Sequence, residues 1–315
     1  MTKAEFEAHW AHALGPARWT AQAPLAPLTT FHVGGAAEWL ADVASVEQLQ
    51  ALVADAHRAG VPVTVLGGGS NILVADQGVE GVVIRLRLFG IESSDAESVR
   101  VEAGVTINGM VRWMIGRGVA GLEAWAGTPG TVGGAIHGNA HWSRGNIGDH
   151  VREVQLVTPA GQVLLVPAAE MGFGYDTSRI QQTREIVAAA VFRVTAGEVG
   201  QLRERARASL HYRKKTQPLA SPSAGCIFQN PSVSDPVPGD VPRSAGALVD
   251  RAGMKGQRSG GARISEQHAN FIVNEGDATA DDIRRLIERA RAAVRDRFGV
   301  TLKDEIVYLG TFRHG

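Results

Sequence analysis

Val46, Leu49, Leu52, Val53 and Ala56 recur at helical spacing directly after Ser45-Val46-Glu47-Gln48, a pattern suited to capping a helix start. Gly60 and Pro62 stop that helix, and Val63–Leu66 reads as a buried strand. Val82–Ile84 is the next strand. A second pass follows: strand Val99–Val101, a helix over Ile107–Ile115, and a stop at Gly116–Gly118. Val154–Val157 and Val163–Val166 flank Thr158-Pro159-Ala160-Gly161 and predict a hairpin. Glu198–Lys215 is a charged helix with Val199, Leu202, Ala206 and Leu210 on one side, and Pro231–Pro242 is a surface loop. Thr279 starts a last helix whose apolar face is Ile283, Leu286, Ile287, Ala290, Val294 and Phe298; Glu305–Tyr308 is a closing strand. The expected division is an N-terminal helical segment (1–20), a two-lobed domain (21–196, lobes 21–88 and 89–196) with its ligand between the lobes, and a separate domain over 200–311. The class is α+β.

Two segments fit neither period. Ala126–Ala140 carries Gly127, Gly130, Gly133, Gly134 and Gly138 among threonines and small apolar residues, a density that a helix or packed strand does not tolerate. Glycine admits positive φ and close backbone approach, so successive N–H groups can gather on an anion such as a pyrophosphate. The strand at Val63 runs into a second such cradle, Gly67-Gly68-Gly69-Ser70-Asn71. Neither segment has the GxGxxG spacing of a dinucleotide-binding βαβ unit or the Gly-Lys-Ser/Thr ending of a P-loop. One glycine run alone reads as a structural loop; two together point to a large dinucleotide.

Composition narrows the class. Lys plus Arg and Asp plus Glu both number 32 in 315 residues, so no global field draws in nucleic acid or an anionic membrane. The longest apolar run, near Ile186–Phe192, is too short to span a bilayer, and the acidic start Met1–Glu7 is unlike a signal peptide. A single cysteine, Cys226, excludes an internal disulfide and a cysteine-based metal cluster, and no His/Asp/Glu spacing points to a divalent metal. A cytoplasmic enzyme is expected; the sequence sets no oligomeric state.

Pro222-Ser223-Ala224-Gly225-Cys226-Ile227-Phe228-Gln229-Asn230-Pro231 closely resembles the active-site motif of the UDP-N-acetylenolpyruvoylglucosamine reductases. The resemblance covers nearly the whole chain. Thr29–Gly35, Gly67–Asn71 and Gly127–Asn139 are similar to that family's FAD-binding segments; Ser244–Val249, Ser265–Asn274 and Leu302–Glu305 are similar to its C-terminal motifs. It implies a FAD-binding domain of the vanillyl-alcohol-oxidase type, with a C-terminal α+β substrate-binding domain. It also implies noncovalent FAD held by Gly67, Gly68, Gly69, Ser70, Asn71, Gly127, Thr128, Thr131, Gly133, Gly134 and Asn139. NADPH is the implied hydride donor and UDP-N-acetylglucosamine enolpyruvate the implied substrate, reduced to UDP-N-acetylmuramate for peptidoglycan.

Within the resemblance, Cys226 takes the place of the serine that protonates the substrate carbanion. A thiol, with a reference pKa near roughly 8.5, is the better acid; the competing reading is a small buried hydrophobe. Glu305 matches the family's catalytic carboxylate, which beside an enolate must be protonated or paired. Tyr175, Asn230 and Lys215 match substrate positions, with Lys214 an equal alternative to Lys215. The chain departs from the family at Asp176, where an arginine commonly follows the tyrosine. Arg179 is either its substitute or a surface arginine. His137, in the glycine run, is read as a loop residue, since this family binds FAD without a covalent bond. Two competing readings are a FAD-dependent oxidase or dehydrogenase of an alcohol or hydroxy acid, and a noncatalytic flavin- or nucleotide-sugar-binding relative.

Overall fold

The computed structural model describes residues 1–142 and 145–312. The chain forms two units: Met1–Ala23, Glu38–Gly68 and Glu80–Tyr212 in one; Pro24–Ala37, Gly69–Val79 and Arg213–Gly315 in the other. Two short stretches inside the expected 21–196 domain are thus grouped with the C-terminal part of the chain.

The first unit has two sheets. One is four-stranded, in the order Trp19–Pro24, Ala36–Val43, Val79–Leu86, Val63–Val65, with the last pair parallel and Val63 opposite Val82. The helices Lys3–Leu14 and Val46–Ala59 feed its core. Phe6, Trp19 and Trp39 form an aromatic cluster there, with ring centroids 5.9–6.0 Å apart. The expected serine cap holds: Ser45 Oγ accepts from the Gln48 N–H at 3.2 Å, and Gly60 ends the helix with φ 64°.

The other sheet is five-stranded and antiparallel, in the order Val163–Pro167, Val151–Val157, Ile186–Arg193, Ser98–Glu102, Ile91–Asp95. The predicted hairpin is present, closed by the Thr158 N–H on the Gln162 carbonyl. Ile107–Gly116 and the short helix Val132–His137 pack Ile107, Met110, Met114 and Ile136 into its core with Val154, Leu156 and Phe192. On Val199–Thr216, Leu202 and Ala206 are buried, but Leu210 is exposed and leaves the predicted apolar side.

In the second unit the helix Ala280–Phe298 buries Ile283, Leu286, Ile287, Ala290 and Val294 against Ala245–Arg251 and a three-stranded antiparallel sheet, Arg258–Ser259, Ala262–Ile264, Ile272–Asn274. Val307–Leu309 pairs in parallel with Ile72–Val74, Val307 opposite Ile72. The closing strand therefore begins two residues later than the sequence pattern predicts, and Glu305 lies in the segment before it. No helix among the described residues is long and apolar enough to cross a membrane.

Candidate active site

The glycine run of the first unit is a backbone-to-backbone seam. A Cβ on Gly68 would lie 2.6 Å from the Cα of Gly130, and one on Gly67 would lie 2.8 Å from Thr131 Oγ1. Only glycine permits that approach. Gly127 and Gly130 have φ of 85° and 97°, turning the chain through the left-handed region. Asn108, which the sequence reading did not single out, anchors the start of the run. Its Oδ1 accepts from the Gly127 N–H at 2.7 Å and its Nδ2 donates to the Thr128 carbonyl at 3.2 Å.

The N–H groups divide into two sets. Those of Gly127, Thr128, Val132 and Gly133 donate to protein acceptors, Gly133 to the Ala103 carbonyl at 3.0 Å. Gly133 is glycine because Ala103 lies against it; a Cβ there would sit 3.1 Å from Ala103 Cβ. The backbone N–H groups of Gly67, Gly68, Gly130 and Thr131 have no protein acceptor among the described residues. Nor, in the second unit, do those of Gly69, Ser70 and Asn71. Each of these sets of donors, on glycine-rich backbone, fits an anion such as the pyrophosphate of FAD.

Asn139 is spent on structure. It is buried with φ 43°; its Nδ2 donates to the Gly174 carbonyl at 2.7 Å and its Oδ1 accepts from the Gly148 N–H at 2.9 Å. Ser178 Oγ donates to the His137 carbonyl at 2.6 Å, and Gln181 Nε2 to the same oxygen at 3.0 Å. The loop carrying Tyr175 is thereby fastened to the end of the glycine run. The Tyr175 side chain itself is about half exposed and packs on His141, ring centroids 5.1 Å apart. Burial of the His137 ring holds its pKa below the ordinary histidine value.

The Cys226 segment belongs to the second unit, with Glu305 beside it. Gly225, at φ 81°, turns the chain into Cys226, which is half-buried. The Glu305 N–H donates to the Ile227 carbonyl at 2.8 Å, and Asn71 Nδ2 donates to the Glu305 carbonyl at 3.0 Å. Gln229 N–H reaches the Lys303 carbonyl at 2.9 Å, so the two segments run side by side. Asn270, buried, grips the Cys226 segment from the other flank: Oδ1 accepts from the Phe228 N–H at 3.0 Å and Nδ2 donates to the Phe228 carbonyl at 2.8 Å. Asn230 is exposed, and its Oδ1 accepts from the Ala245 N–H at 3.0 Å.

Among the cations ending Val199–Thr216, the buried one is Arg213, which the sequence reading passed over; Lys214 and Lys215 are exposed. Burial brings the Arg213 guanidinium down to about 10, while the thiol group of Cys226, when ionised, pulls it back up. Helix phase selects Arg213, since residues 213, 214 and 215 point about 100° apart.

Fold and cradle define a FAD-dependent oxidoreductase, and residues 37–166 match the FAD binding domain family. Residues 217–309 match the C-terminal domain of UDP-N-acetylenolpyruvoylglucosamine reductase. The chain is 38% identical over 296 residues to UDP-N-acetylenolpyruvoylglucosamine reductase 2 of Symbiobacterium thermophilum, covering 94% of this chain and 93% of that one. It is 41% identical over 291 residues to the reductase of Anaeromyxobacter sp. (strain K), covering 92% and 85%. The crystal structure of the Thermus caldophilus UDP-N-acetylenolpyruvylglucosamine reductase superposes with a TM-score of 0.76 at 33% identity, over 93% of this chain and 98% of that one. The chain belongs to the UDP-N-acetylenolpyruvoylglucosamine reductase family.

Proposed function

We propose that this protein reduces UDP-N-acetylglucosamine enolpyruvate to UDP-N-acetylmuramate at the expense of NADPH, in the cytoplasm, as a step of peptidoglycan precursor synthesis. Noncovalent FAD, held at the N–H groups of Gly67–Asn71, Gly130 and Thr131, supplies the hydride chemistry that links NADPH to the enolpyruvyl alkene. The chain's own residues handle the proton and the charge. Hydride addition at the terminal alkene carbon leaves carbanion character on its neighbour, delocalised into the substrate carboxylate. Cys226 delivers its Sγ proton to that carbon, an S–H bond breaking as the C–H bond forms, and the thiolate regains a proton from solvent. Arg213, buried in the same unit, stabilises the thiolate. Glu305, in its protonated form, donates to the enolate. Tyr175, Asn230 and one of Lys214 or Lys215 contact the nucleotide sugar.

The observation that carries this reading is the Glu305 N–H bond to the Ile227 carbonyl, which sets the carboxylate-bearing segment next to the thiol-bearing one. The test is anaerobic: NADPH should bleach the flavin and the enolpyruvyl nucleotide sugar should restore its colour. Bleaching by an alcohol or hydroxy acid, with no response to the nucleotide sugar, would identify an oxidase or dehydrogenase instead. Yellow colour retained on acid-precipitated protein would overturn noncovalent binding.

A further inference from the structure

Inside the first unit, the helix Ile107–Gly116 and the 199–212 part of the helix Val199–Thr216 border a trough of about 250 Å³. Ile115 and Ala206, both nearly buried, form its floor, and Leu210, 38% exposed, extends the apolar lining. Arg112, Arg203, Arg207 and Gly116 complete it. Helical spacing gathers each set on one side: 112, 115 and 116 on the first helix, 203, 206, 207 and 210 on the second. Leu210, which leaves the buried side of its helix, is thus part of a second apolar surface.

Gly116 is required by neither its conformation nor its packing. Its φ lies outside the left-handed region, and a Cβ there would meet nothing within 4 Å. Glycine costs a helix about 1 kcal/mol against alanine, so its presence trades helix stability for an open wall.

The three arginines are exposed, and none has a hydrogen-bond acceptor or ion-pair partner among the described residues. Their neighbours are matched: Arg205 pairs with Glu123 at 2.9 Å, and Arg117 lies 4.1 Å over the Trp113 ring. Glu198 interacts electrostatically with Arg203, but its oxygens accept from the Gly200 and Gln201 N–H groups at 2.8 Å each. Three like charges around an apolar recess attract carboxylates, and arginine suits two-point contact with them better than lysine does. The volume falls below the roughly 300–1,000 Å³ of small-molecule sites, so it fits an inserted side chain rather than a cofactor. A membrane surface fits less well, since insertion needs apolar groups outermost, and here Ile115 and Ala206 are recessed while the guanidinium groups are exposed.

We propose that this trough docks an acidic segment of a partner protein. One apolar side chain of the partner seats against Ile115, Ala206 and Leu210, with carboxylates on Arg203 and Arg207 along one wall and on Arg112 along the other. Arg203 and Arg207 are one turn apart, about 6 Å along the helix axis, which matches glutamates at i and i+4 of a helix laid alongside. The inserted group carries the affinity, and the rim charges select for an acidic partner. This role is independent of the reductase reading.

The test uses the full-length, flavin-loaded enzyme and a fluorescein-labelled helical peptide with leucine at every third or fourth position and glutamate between. Fluorescence polarisation should show saturable binding that weakens as salt is raised. The double variant Arg203→Gln/Arg207→Gln should bind about tenfold more weakly, the scale of losing two exposed ion pairs. Gly116→Phe keeps every charge and fills the trough; it should weaken binding by at least as much. Both variants should keep the wild-type flavin content and rate of flavin reduction by NADPH, and Arg297→Gln, in the second unit, should bind like wild type. The same peptide with glutamine for glutamate, or alanine for leucine, should bind at least about tenfold more weakly. Absence of saturable binding to wild type overturns the proposal. So does binding unchanged in Gly116→Phe or in the double arginine variant, or equal binding of the glutamine peptide. Arginine-dependent binding to phosphatidylglycerol vesicles with none to the peptide would assign the surface to a membrane instead.

Discussion

Gly68 and Gly130 touch through their backbones: a β-carbon on the first would sit 2.6 Å from the α-carbon of the second. Neither atom belongs to a flexible side chain, so a methyl group must push two loops apart. Forced overpacking of this kind typically costs about 1–3 kcal/mol. Gly68→Ala should therefore lower the unfolding midpoint and reduce the flavin absorbance per protein. Gly133→Ala meets a side-chain methyl at 3.1 Å, which needs a shift of a few tenths of an ångström only. Its loss should be smaller. The ratio of flavin to protein absorbance after gel filtration, with thermal unfolding alongside, checks both; equal retention by the two variants would contradict the seam.

Asn270 holds both polar groups of Phe228 in a buried setting. Replacing it with alanine strands an N–H and a carbonyl, and each unsatisfied buried group costs about 1–3 kcal/mol. Asn270→Ala should lose stability of that order, measured by denaturant unfolding. It should also slow the proton-transfer half-reaction more than reduction by NADPH, because the loosened segment carries Cys226. Asn270→Asp should be destabilised too, since it has no amide to donate to the Phe228 carbonyl.

Arg179 should prove structural. The Arg179 hydrogen bonds hold the Glu185 carboxyl below its ordinary range, so the pair's stabilisation is complete above the unfolded-state pKa. It is lost as pH falls through the depressed folded value. Arg179→Ala should thus destabilise the protein at pH 7, and its deficit against wild type should shrink as pH drops below about 4, in the range where unfolded glutamates protonate. Paired urea titrations at neutral and acidic pH read that gap. Flavin reoxidation by the nucleotide sugar should be nearly unaffected; a hundredfold slowing would return Arg179 to the chemistry.

Glycine was the most readable part of the sequence because its use at Gly68 is forced by close contact with the backbone of Gly130, and at Gly127 and Gly130 by positive φ. The Cys226 segment was readable through its ordered motif. Side chains within those segments were less so. Asn139 shares the run with the N–H groups of Gly130 and Thr131, yet its amide bridges Gly174 and Gly148, partners that local pattern cannot reveal. Choosing Arg213 over Lys214 and Lys215 required the phase of a helix whose packing face is set elsewhere. The grouping of 69–79 with the C-terminal residues depends on the parallel pairing of Ile72–Val74 with Val307–Leu309, two short strands distant in sequence. Asp176 marked a departure from the family; only its position next to His141 gave the departure a physical content.

Cys226 carries the most discriminating prediction. If the thiol is the proton donor, Cys226→Ala should leave NADPH-to-flavin transfer nearly intact and slow reoxidation by about 10²–10⁴-fold, the range expected for removing a general acid. Cys226→Ser should keep a substantial part of the activity, since a hydroxyl can occupy the same donor position. It should nevertheless be slower than wild type, because an aliphatic hydroxyl is a far weaker acid than a thiol. Stopped-flow traces of flavin bleaching and recovery resolve the two steps, and solvent deuterium should slow only the recovery. Equal slowing of both steps in Cys226→Ala would make the cysteine a packing residue, and unchanged recovery would remove it from the mechanism.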